Sequence, residues 1–180
     1  MIKFDDATLA QISAADPTAS TWVSANAGSG KTRVLTDRVA RLLLHETDPQ
    51  KILCLTYTNA AAAEMQNRLF KRLGAWAMMQ DDKLRQALAE LGEDVALLTT
   101  EKLRLARTLF ATALETPGGL KIQTIHAFCD ALLRQFPLEA HISPQFEIFE
   151  DRQAKQVRAD ILEQLAEGDA RAAFERLAVL

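Results

Sequence analysis

The sequence predicts an α/β fold: a P-loop NTPase core with a parallel sheet flanked by helices, plus a helical insertion at about residues 66–117. Three observations predict it. A β-prone stretch, Thr21-Trp22-Val23-Ser24, runs straight into the glycine loop Ala25-Asn26-Ala27-Gly28-Ser29-Gly30-Lys31-Thr32 and then into a helical pattern. Two further strand-like runs, Ile52-Leu53-Cys54-Leu55 and Lys121-Ile122-Gln123-Thr124, each lead into a helical pattern as well. Between those two units, residues 76–117 show helical periodicity and no strand signal. Strands that alternate with helices predict parallel pairing, because a crossover helix must return the chain to the same edge.

Each element has its own warrant. Leu35, Val39, Leu42 and Leu43 form the stripe of the first long helix, which Asp48-Pro49 stops. Ile52–Leu55 is continuously apolar, as expected of a strand buried on both faces of a parallel sheet. Thr58 or Asn59 can cap the next helix, which carries Met65, Leu69 and Leu73. The insertion holds two patterns: Leu84, Leu88 and Leu91 before Gly92, then Leu103, Ala106, Phe110 and Ala113 before Pro117-Gly118-Gly119. After the Lys121–Thr124 strand, Ile125, Phe128, Cys129, Leu132, Leu133 and Phe136 give the best amphipathic register in the chain. Phe146-Glu147-Ile148-Phe149 alternates like a short strand, and Glu150-Asp151 opens a helix with Val157, Ile161, Leu162 and Leu165 up to Gly168. Phe174, Leu177 and Leu180 continue a helical pattern to the last residue, as expected of a fragment.

Composition narrows the class. The 180 residues carry 21 Lys and Arg against 24 Asp and Glu, a net charge of −3, with 48% hydrophobic residues. That excludes a disordered or fibrous chain. No run of about 18 apolar residues appears and the opening Met1–Asp6 lacks a signal peptide's apolar stretch, so the sequence reads as cytoplasmic, with no membrane partner. The acidic excess lies in residues 137–180, with 5 basic and 9 acidic side chains, so the net charge says little about a groove formed by earlier residues. Cys54 and Cys129 have no CxxC or His spacing; both read as packed thiols rather than metal ligands.

The glycine loop carries the chemistry. Small residues let successive backbone N–H groups curl around an anion without interference from Cβ atoms. Gly28, Ser29 and Gly30 supply this, and the following helix adds the partial positive charge of its N-terminus. Lys31 puts an ammonium near the β and γ phosphates, and Thr32 offers a hydroxyl to Mg²⁺. The pattern asks for glycine where Ala25 stands, a departure of one methyl. The expected ATP site therefore comprises Ala25, Asn26, Ala27, Gly28, Ser29, Gly30, Lys31, Thr32 and Arg33, with Lys31 and Thr32 as its catalytic members. Hydrolysis also needs an acidic strand end and a group that orients water. Neither is evident, and Glu150-Asp151 reads as a helix cap, so binding without turnover is expected of this chain alone.

The loop, Thr56-Tyr57-Thr58-Asn59-Ala60-Ala61-Ala62-Ala63-Glu64-Met65 and Thr124-Ile125-His126-Ala127-Phe128 follow one another in the order found in superfamily 1A DNA helicases of the UvrD and Rep type, which this sequence resembles. Within them it looks closest to the N-terminal part of the AddA helicase-nucleases of double-strand-break repair, over about Gln11 to at least Glu150. The resemblance implies an incomplete motor domain: 1–150 as the N-terminal part of domain 1A, and 151–180 as the start of a helical 1B-like subdomain. It makes Gln11 the adenine-reading glutamine and implies ATP and Mg²⁺ as cofactors. The partners it implies are DNA ends and a second, AddB-like subunit. It also lays Tyr57, Thr58, Asn59, Thr124 and His126 along a single-stranded DNA track.

The residues themselves leave those DNA assignments open. Hydroxyl, amide and imidazole groups can bond phosphate, and a tyrosine ring can stack a base. Thr58 and Asn59 can equally be helix caps, Tyr57 a packed ring and His126 a surface side chain. Ala60 stands where the family has lysine, removing one phosphate contact. The alternatives to a helicase fragment are a small P-loop phosphotransferase and an ATP-free DNA-binding or interaction module.

Overall fold

The computed structural model describes residues 5–24, 26, 28, 30–148 and 151–167. The chain forms two compact units, Met1–Ala131 and Leu132–Leu180. Its class is α/β, mostly helical, with a two-stranded parallel sheet among the described residues.

In the first unit, α1 (Asp6–Ala14) is capped by Asp5, whose carboxylate accepts from Thr8 N–H at 2.8 Å. The helix α2 (Lys31–Leu44) starts immediately after Gly30. It is followed by a short 3₁₀ turn, Pro49–Lys51, capped by Asp48, and by β1 (Leu53–Thr56). Thr58 caps α3 (Asn59–Met78), accepting from Ala61 N–H at 3.1 Å. The insertion supplies α4 (Asp81–Glu90) and α5 (Thr100–Glu115), the latter capped by Thr99. β2 (Lys121–Thr124) then pairs parallel to β1, with Cys54 opposite Ile122 and Thr56 opposite Thr124.

The core lies among the helices. Leu44 of α2, Leu69 and Leu73 of α3, Leu84 and Leu88 of α4 and Leu103 of α5 are fully buried. Phe70 of α3 meets Phe110 of α5 edge to face at 5.9 Å. Asp37 of α2 is buried and paired with Arg72 of α3, which joins the two helices by a charge as well as by packing. Met65, Leu69, Leu73, Leu84, Leu88, Leu91, Leu103, Ala106 and Ala113 are all buried as their periodicity predicts.

Several expectations are corrected. Thr21–Ser24 is not a strand; it is irregular, with Trp22 93% exposed, and no strand among the described residues lies beside it. A single extended segment without a ladder leaves its N–H and C=O groups to water, so propensity alone does not make it a strand. β1 is not buried on both faces: Leu53 and Leu55 are 43% and 44% exposed, while Ile52 on the other side is buried. The inward stripe of α2 is rotated; Val34, Val39, Ala40, Leu43 and Leu44 are buried and Leu35 is 52% exposed. In α5, Leu109 is buried where Phe110 is only partly so.

The helix α6 (Ile125–Gln135) forms as predicted, yet none of its side chains is buried. Its C-terminal part belongs to the second unit with α7 (Asp151–Glu167). Between them the chain makes turns, and Arg134 lies over the Phe146 ring at 4.8 Å. Phe146–Ile148 is irregular rather than a strand. Phe149, Glu150, Gly168, Phe174, Leu177 and Leu180 lie outside the described residues. No described helix is long and apolar enough to cross a membrane.

Candidate functional site

The site is built where α1 meets the start of α2. Gly28 and Gly30 have φ of 80° and 92°, a left-handed backbone that a side chain disfavours. Around Gly28 there is open space, so its requirement is conformational. Gly30 is different: a Cβ there would stand 3.1 Å from Gln11 Nε2. The Gln11 amide thus lies against the last glycine of the loop, although 18 residues of chain separate the two.

Lys31, the first residue of α2, donates from Nζ to the Asn26 carbonyl at 2.7 Å, so its ammonium spans the loop. Thr32 follows in the first turn and is half-buried. Arg33 is exposed and pairs with Asp37 one turn on, at 3.7 Å. Ala25, Ala27 and Ser29 lie outside the described residues. Gly28, Gly30, Lys31 and Thr32, with the α2 N-terminus, fit an anion such as a triphosphate: left-handed glycines at the loop, one cation beside it and the positive end of a helix behind it. The fit to Mg²⁺ is narrower and rests on the Thr32 hydroxyl, in the first turn of α2. Among the described residues no group of three His, Cys, Asp or Glu side chains could hold a metal.

The second group of predicted residues gathers at the C-terminal ends of the paired strands. Since Thr56 and Thr124 are register partners, Tyr57–Asn59 and Ile125–His126 leave the sheet side by side. Tyr57 is 88% exposed, so it is not a packed ring. Asn59 and His126 are exposed as well. Thr58 caps α3, and Thr124 is buried, its hydroxyl accepting from Ala127 N–H at 3.2 Å at the start of α6. The two threonine hydroxyls therefore already serve helix starts. Neither cysteine takes part: Cys54 is half-buried, and burial raises its thiol pKa, whereas Cys129 is exposed rather than packed.

Sequence reasoning missed the arginines that hold α1 and the segment after it. From α2, Arg38 donates from Nη1 to the Asp16 carbonyl and from Nη2 to the Ala19 carbonyl at 2.7 Å. Arg41 donates from Nη1 to the Ile12 carbonyl at 3.1 Å, and its Nε meets Glu93 Oε1 at 3.2 Å. Their i, i+3 spacing puts both on one face of α2, a signal that was readable. Their partners lie 19 to 52 residues away in sequence, which was not.

These features sit within a known family pattern. Residues 7–178 match the family model of the UvrD/REP helicase N-terminal domain. The A subunit of the ATP-dependent helicase/nuclease of Listeria innocua is 34% identical over 148 residues, 81% of this chain and 10% of the relative. That of Desulforamulus reducens is 35% identical over 151 residues, again 81% and 10%. That of Pediococcus pentosaceus is 29% identical over 159 residues, 86% and 11%. The chain spans about a tenth of the length of these relatives.

Proposed function

The chain belongs to the UvrD/REP helicase family, and from that premise we propose that it is the nucleotide-binding end of an ATP-dependent DNA helicase-nuclease of double-strand-break repair. The observation that carries the reading is the Gln11 amide held against Gly30 at a left-handed glycine loop that Lys31 spans. An amide side chain pairs with adenine through one acceptor and one donor, matching N6–H and N7 of the base. Gln11 would read the adenine, Lys31 would neutralise the β and γ phosphates, and the α2 N–H groups would bond their oxygens. Thr32 would hold Mg²⁺, which would supply positive charge beside the triphosphate.

Residues 1–150 are the N-terminal part of motor domain 1A, with the insertion at about 66–117, and 151–180 begin a 1B-like subdomain. Tyr57, Asn59 and His126 would meet single-stranded DNA, Tyr57 by stacking and the others by bonding phosphate; Thr58 and Thr124 set the backbone that presents them. The partners of the full-length protein are DNA ends and an AddB-like subunit, in the cytoplasm where that DNA lies.

Calorimetric titration of the 180-residue chain with ATP and Mg²⁺ tests the nucleotide reading. Lys31→Ala should weaken binding at least about tenfold, the scale of one lost charge-assisted contact to phosphate. Equal affinity of wild type and variant would sink the reading.

A further inference from the structure

We propose that the Gly92–Glu93 turn of the helical insertion, acting through Arg41, positions Gln11 for adenine recognition. The proposal rests on the adenine-reading role of Gln11. It makes Glu93 and Arg41 positioning residues, and it gives the insertion a part in nucleotide selection.

The need for such a brace begins with α1 itself. It has nine residues and no buried side chain, well below the ~12–15 residues at which an isolated helix becomes even marginal in water. Its placement must come from tertiary contacts, and those contacts converge on residues beside Gln11. At the C-terminal end of α1, Asp16 N–H bonds to Ser13 O at 3.2 Å instead of continuing the helical ladder to Ile12 O. The Ile12 carbonyl is taken by Arg41 Nη1 at 3.1 Å. Gly30 and Arg41 stand about 16 Å apart along α2, at 1.5 Å per residue. Gln11 touches the first and Ile12 the second, so α1 is fixed at two points of one rigid helix.

The insertion controls the second of those points in two ways. Glu93 accepts from Arg41 Nε at 3.2 Å, and both side chains are only 10% exposed. A guanidinium held by a carboxylate at one edge presents its remaining N–H groups in a fixed direction, here toward Ile12 O. The other oxygen of Glu93 meets His45 Nε2 at 3.1 Å, so the carboxylate is itself oriented by Arg41 of α2 and by the residue that caps its C-terminus. Gly92, with φ of 99°, then packs directly under Ile12; a Cβ at this position would collide with Ile12 Cγ2 and stand 3.3 Å from Arg41 Nη1. One two-residue turn therefore contacts the side chain of Ile12 and sets the donor that holds its carbonyl.

The test compares binding of ATP with binding of inorganic tripolyphosphate, each with Mg²⁺, to the 180-residue chain. Gln11→Ala should lose about tenfold in ATP affinity and nothing for tripolyphosphate, which has no base. Glu93→Gln, isosteric but uncharged, should lose ATP affinity by about three- to tenfold, spare tripolyphosphate, and add no further loss in the Gln11→Ala background. If Glu93→Gln does not fold by circular dichroism, Arg41→Lys, which keeps the charge without the fork, carries the same comparison. An equal loss for both ligands, an unchanged ATP affinity, or an additive loss beside Gln11→Ala would each overturn the proposal. Gln11→Ala without selective loss of ATP would instead overturn the adenine reading beneath it.

Discussion

At Thr58 one hydroxyl is asked to serve two purposes. Its oxygen accepts from Ala61 N–H at 3.1 Å, so it satisfies one of the orphan donors of α3, and Thr124 does the same for α6 through Ala127. A contact to DNA from either hydroxyl would have to use the O–H hydrogen or the second lone pair. Capping is thus the role these side chains already perform, and it has a measurable consequence. Thr58→Ala should destabilise the chain by about 1 kcal/mol, and Thr58→Ser by much less, because serine keeps the accepting oxygen. Urea denaturation of the two variants checks this; an alanine variant as stable as wild type would remove the cap from the account. Tyr57 and His126, exposed beside these caps, carry no such structural duty, so they are the cleaner positions at which to look for DNA contact.

Among the elements, what was legible followed periodicity, and what was hidden depended on partners. The helices α3, α4 and α5 bury the leucines their spacing marks because those three helices cover one another. The helix α6 has the strongest amphipathic pattern and buries nothing, since periodicity tells which side is apolar and not whether another layer covers it. Thr21–Ser24 fails as a strand for the related reason that a strand is defined by its ladder. The glycine loop and Gln11 were legible as short local patterns or by resemblance. The Arg41–Glu93 pair was not, because it joins residues 52 apart. This contrast predicts unequal costs for one substitution. Leu103→Ala, at a side chain with no exposure, should destabilise by about 2–5 kcal/mol, whereas Leu132→Ala, 45% exposed on α6, should cost under about 1 kcal/mol. Guanidinium denaturation of the two variants under one condition decides it; similar midpoint shifts would mean that α6 is covered in solution.

For the molecule as a whole, stability is divided unevenly between the two compact units. Every side chain buried in the described structure lies between Ala15 and Thr124, within Met1–Ala131. Among the described residues of Leu132–Leu180 none is buried; Val157, Ile161, Leu162 and Leu165 of α7 are 38–53% exposed. The same region carries the acidic excess, 5 basic against 9 acidic side chains over residues 137–180, which favours solvation over packing. A helix of 17 residues with no buried side chain among its described ones is marginal, whereas α3 and α5 open only when the shared core is lost. Hydrogen exchange should therefore separate the two. Amides of α3 and α5 should exchange at the rate set by global unfolding, and those of α7 faster by at least about a hundredfold, corresponding to an opening about 2.7 kcal/mol cheaper. Mass-spectrometric exchange on the 180-residue chain, read peptide by peptide, makes the measurement. Equal protection of α7 and α3 would show that the second unit is stabilised by burial this structure does not contain, and the division of stability would fall with it.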